Sequence, residues 1–139
     1  DLGIAFKANT NDTRESPAIN ICKDLLEEGA FLEIHDPKVS RDQIISDLNL
    51  EPLNNINNRI PNAIQKEGGW CLSSNFMESF INADAIVLLT EWEDYKNIEW
   101  EKVINKMRKP SWIFDTRAIL DQSRIISTGV NFWRIGYGI

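Results

Sequence analysis

The chain has 139 residues, 42% of them hydrophobic, 26% charged and 9% aromatic, which fits one globular domain around a single core. Its net charge of −6 argues against a nucleic-acid partner, because phosphate neutralisation needs a basic face; no apolar run approaches the about 18 residues of a membrane span. Cys22 and Cys71 form neither a CxxC motif nor a metal-ligand spacing, and Asp1 is preceded by no basic, apolar leader, so a reduced, cytoplasmic setting without a metal site is expected.

Leu2 to Phe6 reads as a short strand that starts without any lead-in, so the chain is expected to be a piece of a longer protein. Ser16-Pro17 then opens a helix, with serine as N-cap and proline at the first helical position, where its missing N–H does no harm. Ala18, Ile19, Cys22, Leu25 and Leu26 fall on one face at helical spacing. Gly29 suits the left-handed residue that ends such a helix. Phe31 to Ile34 is the next strand, stopped by Asp36-Pro37, and the whole stretch has the size of a right-handed βαβ unit.

Asp42 to Leu48 reads as a short helix. Asn49 to Gly69, rich in asparagine and ending in Gly68-Gly69, reads as surface loop with at most one helical turn. Ser74 is expected to cap a helix whose Phe76, Met77, Phe80 and Ile81 share a face. Ala85 to Leu89 is a continuous apolar run of the kind buried on both sides of a parallel sheet. A helix through Trp100, Val103, Ile104 and Met107 is closed by Pro110. Trp112 to Phe114 and Asn131 to Ile135 are the last two strands. This alternation predicts an α/β, Rossmann-like, doubly wound domain: a mostly parallel sheet of about five strands with helices on both faces.

Ligands of open parallel sheets sit at the carboxyl ends of the strands. Two polar loops leave such ends. The first runs from Lys7 through Ala8, Asn9, Thr10, Asn11, Asp12, Thr13 and Arg14 to Ser16, with Arg14 just before a helix start that favours anions. The second is Asp115-Thr116-Arg117. A dinucleotide fingerprint is missing, since Gly3 stands alone. The residues therefore suggest a phosphorylated small ligand, against the alternative of a domain that merely packs. Each arginine also has a bland alternative: Arg14 as a surface partner of Asp12 or Glu15, and Arg117 of Asp115 or Asp121. Both cysteines lack an activating base or cation and are expected to be structural, so no catalytic residue is expected.

Gly3-Ile4-Ala5-Phe6-Lys7, Asn9-Thr10 and Asp12-Thr13-Arg14-Glu15-Ser16-Pro17 resemble the opening of the UDP-binding domain of the UDP-glucose/GDP-mannose dehydrogenase family. Asp36-Pro37-Lys38-Val39, Ala85 to Trp92, Phe114-Asp115-Thr116-Arg117 and Leu120-Asp121 follow in the family's order. The stretch from Asp36 to Leu48 and the context of Thr90-Glu91-Trp92 look most like the branch acting on UDP-glucose. Dehydrogenases of GDP-mannose or UDP-N-acetylmannosamine share much of the pattern.

The resemblance implies oxidation of a sugar C6 alcohol to a carboxylate by two molecules of NAD, bound mainly by an N-terminal domain outside this chain. A central region would supply the cysteine nucleophile and the contacts of a homo-oligomer. It further implies that Phe6, Lys7 and Arg117 contact the UDP-sugar, that Ala8, Asn9, Thr10, Asn11, Asp12 and Thr13 line the site, and that Arg14 reaches the diphosphate of NAD. Two departures stand out: Thr116 replaces a usual glycine, and His35 a usual tyrosine. The competing expectations are a free-standing nucleotide-binding regulator and an oligomerisation module without a ligand.

Overall fold

A computed structural model describes residues 11–14, 16–53, 68–73 and 76–136. The expected strand Leu2–Phe6 and the site residues Phe6, Lys7, Ala8, Asn9 and Thr10 lie outside them, as does Ser74. Among the described residues the order of helices and strands is α1 (Pro17–Glu27), β1 (Phe31–Ile34), α2 (Arg41–Leu48), β2 (Gly69–Leu72), β3 (Ala85–Leu88), α3 (Glu93–Lys96), α4 (Trp100–Lys106), β4 (Trp112–Asp115), α5 (Gln122–Ile126) and β5 (Asn131–Arg134). All described strand pairs are parallel, β1 with β2 in one sheet and β3-β4-β5 in the other. The parallel α/β class is the expected one.

Local chemistry explains the first helix. Proline occupies its start, although the Ser16 hydroxyl makes no capping bond there. Ala18, Cys22 and Leu26 are its buried stripe. At its other end Gly29 has φ +89°, and the Gly29 and Ala30 amides donate to the Leu26 and Leu25 carbonyls, both at 3.0 Å. Those crossed bonds satisfy carbonyls that the last helical turn leaves open. In α2 the Ser40 hydroxyl accepts from the Gln43 amide, and Asn49 closes the helix at φ 53°.

Gly68-Gly69 is a packing device rather than a loop signal. The Gly68 amide donates to Leu26 O at 2.8 Å, and a Cβ on Gly68 would stand 1.7 Å from the carbonyl oxygen of Ala30. A Cβ on Gly69 would meet the Leu53 side chain at 2.6 Å. Glycine is needed because two backbones meet there. Gly69 therefore opens β2 instead of ending a loop, and Cys71 lies buried within that strand. Trp70, fully buried, ties Leu50 by an Nε1 donation of 2.9 Å to its carbonyl.

Two further expectations change. Around Phe76 only a single 3-10 turn forms, Phe76–Glu78, and Ile81 points to solvent while Phe80 joins the core. The strand β3 is covered fully on one face only: Ile86 and Leu88 are buried, whereas Ala85 is exposed and Val87 half-buried. Trp92 and Trp100 are core residues, whereas Trp112 is exposed and stacks on Phe114 at 5.5 Å. The core runs through Ile34, Ile44, Trp70, Leu88, Tyr95, Trp100, Val103, Ile113 and Ile125.

Candidate nucleotide site

The register β3-β4-β5 brings three chain segments to one carboxyl edge: Leu89 to Trp92, Thr116 to Leu120, and the end of β5. Arg117 sits in the middle one. Its Nε donates to the Leu89 carbonyl at 3.0 Å, and its Nη1 lies 3.4 Å from Glu91 Oε2. The arginine thus reaches back across β3, and its side chain is 29% exposed. Its carboxylate partner is Glu91, not Asp115 or Asp121 as the bland alternatives had it.

Those two aspartates have other work. Asp115 is fully buried at the end of β4. Its Oδ1 accepts from the Arg117 amide at 3.2 Å and its Oδ2 from the Leu120 amide at 2.9 Å, so one carboxylate holds both ends of the loop. Such charge-assisted bonds are the strong ones. Asp121 caps α5 by accepting from the Arg124 amide. The Thr116 hydroxyl donates to the Leu88 carbonyl; the threonine that departs from the family's glycine is turned back onto the end of β3. Ala118 takes φ 58°, a left-handed conformation that costs a side-chain-bearing residue. Arg134, from the end of β5, donates from Nη2 to the Ala118 carbonyl at 3.1 Å.

The first polar loop is described from Asn11 to Arg14 and again at Ser16. Arg14 pairs with Asp12 through Nε at 3.0 Å and Nη2 at 2.9 Å, and Asp12 Oδ1 also accepts the Arg14 amide. That local pairing was one of the bland alternatives. Nη1 lies outside the pair, and the arginine side chain is 88% exposed. Thr13 is buried, and its carbonyl accepts the Ser16 amide that leads into α1. Asn11 is exposed.

His35 follows β1 inside an aromatic cluster, with ring centroids 4.4 Å from Phe76 and 5.7 Å from Tyr95. The Tyr95 hydroxyl donates to the His35 carbonyl at 3.1 Å. A hydroxyl has one proton, so the 3.1 Å contact between Tyr95 Oη and His35 Nδ1 makes Nδ1 the donor. Burial lowers the histidine pKa, against the opposing pull of Asp36 and Asp94. Burial likewise pushes the Cys22 thiol up to about 11, and Cys71 is buried too.

Arg134 and Glu91 had no assigned role in the sequence. Glu91 stood inside a motif, and Arg134 was only the tail of a strand; nothing local marks either as a neighbour of Arg117.

The family model for the UDP binding domain of the UDP-glucose/GDP-mannose dehydrogenase family matches residues 2–122. The chain is 39% identical over 135 residues to the UDP-glucose 6-dehydrogenase of Drosophila melanogaster, covering 97% of this chain and 27% of that protein. It is 35% identical to UDP-glucose 6-dehydrogenase 2 of Arabidopsis thaliana, covering 97% and 28%. It therefore spans little more than a quarter of the length of these relatives. In fold it is similar to an NDP-N-acetyl-D-galactosaminuronic acid dehydrogenase from Methanosarcina mazei Go1, with a TM-score of 0.69 at 24% identity, covering 97% of this chain and 23% of the other. On the matched model and these relatives, with a parallel α/β fold that presents an anchored arginine at its carboxyl edge, the chain belongs to the UDP-glucose/GDP-mannose dehydrogenase family through its UDP-binding domain.

Proposed function

We propose that the chain is the C-terminal, nucleotide-sugar-binding domain of a longer, cytoplasmic, homo-oligomeric UDP-glucose 6-dehydrogenase, which oxidises UDP-glucose to UDP-glucuronate with two molecules of NAD. The observation that carries this reading is Arg117, a half-buried guanidinium anchored at two nitrogens on the edge where parallel sheets take ligands. In a chain with a net charge of −6, an anion must be gripped by such positioned cations rather than by a general field. Arg117 and Lys7 hold the UDP moiety. Phe6 contacts the same ligand, and Ala8, Asn9, Thr10, Asn11, Asp12 and Thr13 line the site.

NAD, held mainly by the preceding domain, supplies the hydride acceptor. Arg14 fits a cofactor-facing role in one respect: its Nη1 is left outside the Asp12 pair on a side chain open to solvent. The raised thiol of Cys22 supports a nucleophile located elsewhere in the full protein, so the isolated chain is expected to show no NAD reduction with any nucleotide sugar.

The test is calorimetric titration of UDP into the full-length protein. A charge-assisted hydrogen bond contributes roughly 1.5–3 kcal/mol, so Arg117→Ala and Lys7→Ala should each weaken UDP binding on the order of 10- to 100-fold. Arg117→Lys should recover part of this, since an ammonium lacks the planar fork. Unchanged UDP affinity in both alanine variants would remove these residues from the site, and tighter binding of GDP than UDP would reassign the nucleotide.

A further inference from the structure

Resting on the placement of UDP against Arg117, we infer that Arg134 is a positioning residue for that arginine: by holding the Ala118 carbonyl from β5, it fixes the left-handed turn that aims Arg117 at the ligand. The loop from Thr116 to Leu120 joins β4 to α5 and is fastened on the β3 side by the Thr116 hydroxyl on Leu88 and the Arg117 guanidinium on Leu89 and Glu91. From below, Asp115 holds the amides of Arg117 and Leu120. Those contacts pin residues on either side of Ala118 and leave its own carbonyl to be held from the third direction, where Arg134 meets it at 3.1 Å.

The need for that hold is conformational. Ala118 at φ 58° is in a region that an alanine enters only when its surroundings over-determine it. A relaxed Ala118 would rotate the peptide that follows Arg117 and swing the guanidinium away from Leu89. Arg134 is well placed to prevent this because its backbone is already locked: it sits opposite Asp115 in the β4–β5 register, and the next amide, Ile135, donates to the Asp115 carbonyl at 3.1 Å. A half-buried strand end therefore carries a rigid donor to a strained loop. Small errors in the position of a binding group are costly to the reaction it serves.

Two measurements on the full-length protein separate this inference from the reading beneath it. Hydrogen–deuterium exchange reads the loop directly, without any ligand. Arg134→Ala should speed exchange of the peptide spanning residues 115–120 by about tenfold, with β1 unchanged; Arg134→Lys, a donor without the fork, should have a smaller effect. Unaltered exchange in Arg134→Ala overturns the inference, whatever the ligand proves to be. The second measurement is a cycle of UDP titrations. Arg134→Ala should weaken UDP binding on the order of tenfold in the wild-type background and have no further effect once Arg117 is alanine. Equal losses in both backgrounds would mean that Arg134 binds UDP itself or supports the fold generally, and would also overturn the inference. If exchange rises as expected while Arg117→Ala leaves UDP affinity intact, the clamp stands and the placement of UDP fails.

Discussion

Arg14 and Arg117 are the two described cations expected to meet phosphate, and the fold treats them in opposite ways. Arg117 is anchored to a neighbouring strand through a carbonyl and a carboxylate, in a loop whose two ends hang on one buried aspartate. Arg14 is 88% exposed, against 29% for Arg117, and its partner is a residue two positions away. The first arginine is pre-organised by tertiary structure; the second is held only by its own turn. Pre-organisation lowers the ordering cost of binding, and a locally held side chain can adapt to a surface brought to it. The proposed division of labour, with Arg117 serving a ligand carried by this domain and Arg14 a ligand shared with a neighbouring one, makes this difference testable.

Removing the anchor should give the largest effect. Asp115→Ala deletes two charge-assisted bonds at a fully buried position, so a stability loss of about 3 kcal/mol is expected. UDP affinity should fall at least as far as in Arg117→Ala. Asp115→Asn keeps one acceptor but turns an NH2 toward the other amide, and should fall between the wild type and alanine. Denaturant melts paired with UDP titrations check both; a stable variant with normal UDP binding would show that the Arg117 loop needs no anchor.

The opposite outcome is expected at the other arginine. Arg14→Ala should leave thermal stability unchanged, because an exposed local pair contributes little. In the full-length enzyme it should raise the apparent KM for NAD more than that for UDP-glucose. The reverse ordering would erase the contrast between the two loops and move Arg14 to the sugar-nucleotide site.

The smallest effect concerns His35, the single histidine of the chain. Its pKa is lowered in the folded state, chiefly by burial. The unfolded chain then binds a proton more readily than the folded one, so stability rises with pH across this group. The contribution is present above the unfolded value of about 6.5 and is lost as pH falls from there through the lower folded value. Melts of the wild type at a series of pH values from neutrality downward should show that slope, and His35→Gln should flatten it. A slope unchanged by the substitution would assign it to carboxylates instead.

Much of this molecule was legible without a structure wherever the signal is local. The stripe Ala18, Cys22, Leu26 and the stop at Gly29 follow from helical spacing and from the left-handed freedom of glycine. The runs Phe31 to Ile34, Ala85 to Leu89 and Trp112 to Phe114 stand out as strand candidates between polar turns, and each forms a strand to within one residue of those bounds. Loop chemistry at strand ends singled out Arg117 before any contact was known. Where local signals misled, a distant partner had decided the outcome. Gly68-Gly69 has the composition of a turn, yet it is a strand start required by the backbone of Ala30 and the side chain of Leu53. Ala85 to Leu89 is apolar throughout, yet one face of β3 remains partly open.

The sequence by itself determined the parallel α/β class and the polar loop that bears Arg117, because these depend on residues three or four apart and on the residues that break a helix or a strand. Only the tertiary structure decided what holds that arginine. Glu91, Asp115 and Arg134 lie 26, 2 and 17 positions from Arg117, and they converge because the register pairs Leu88 with Asp115 and Asp115 with Arg134. Strand order and register are set by the burial of whole faces, a sum over many side chains that no short window of sequence contains.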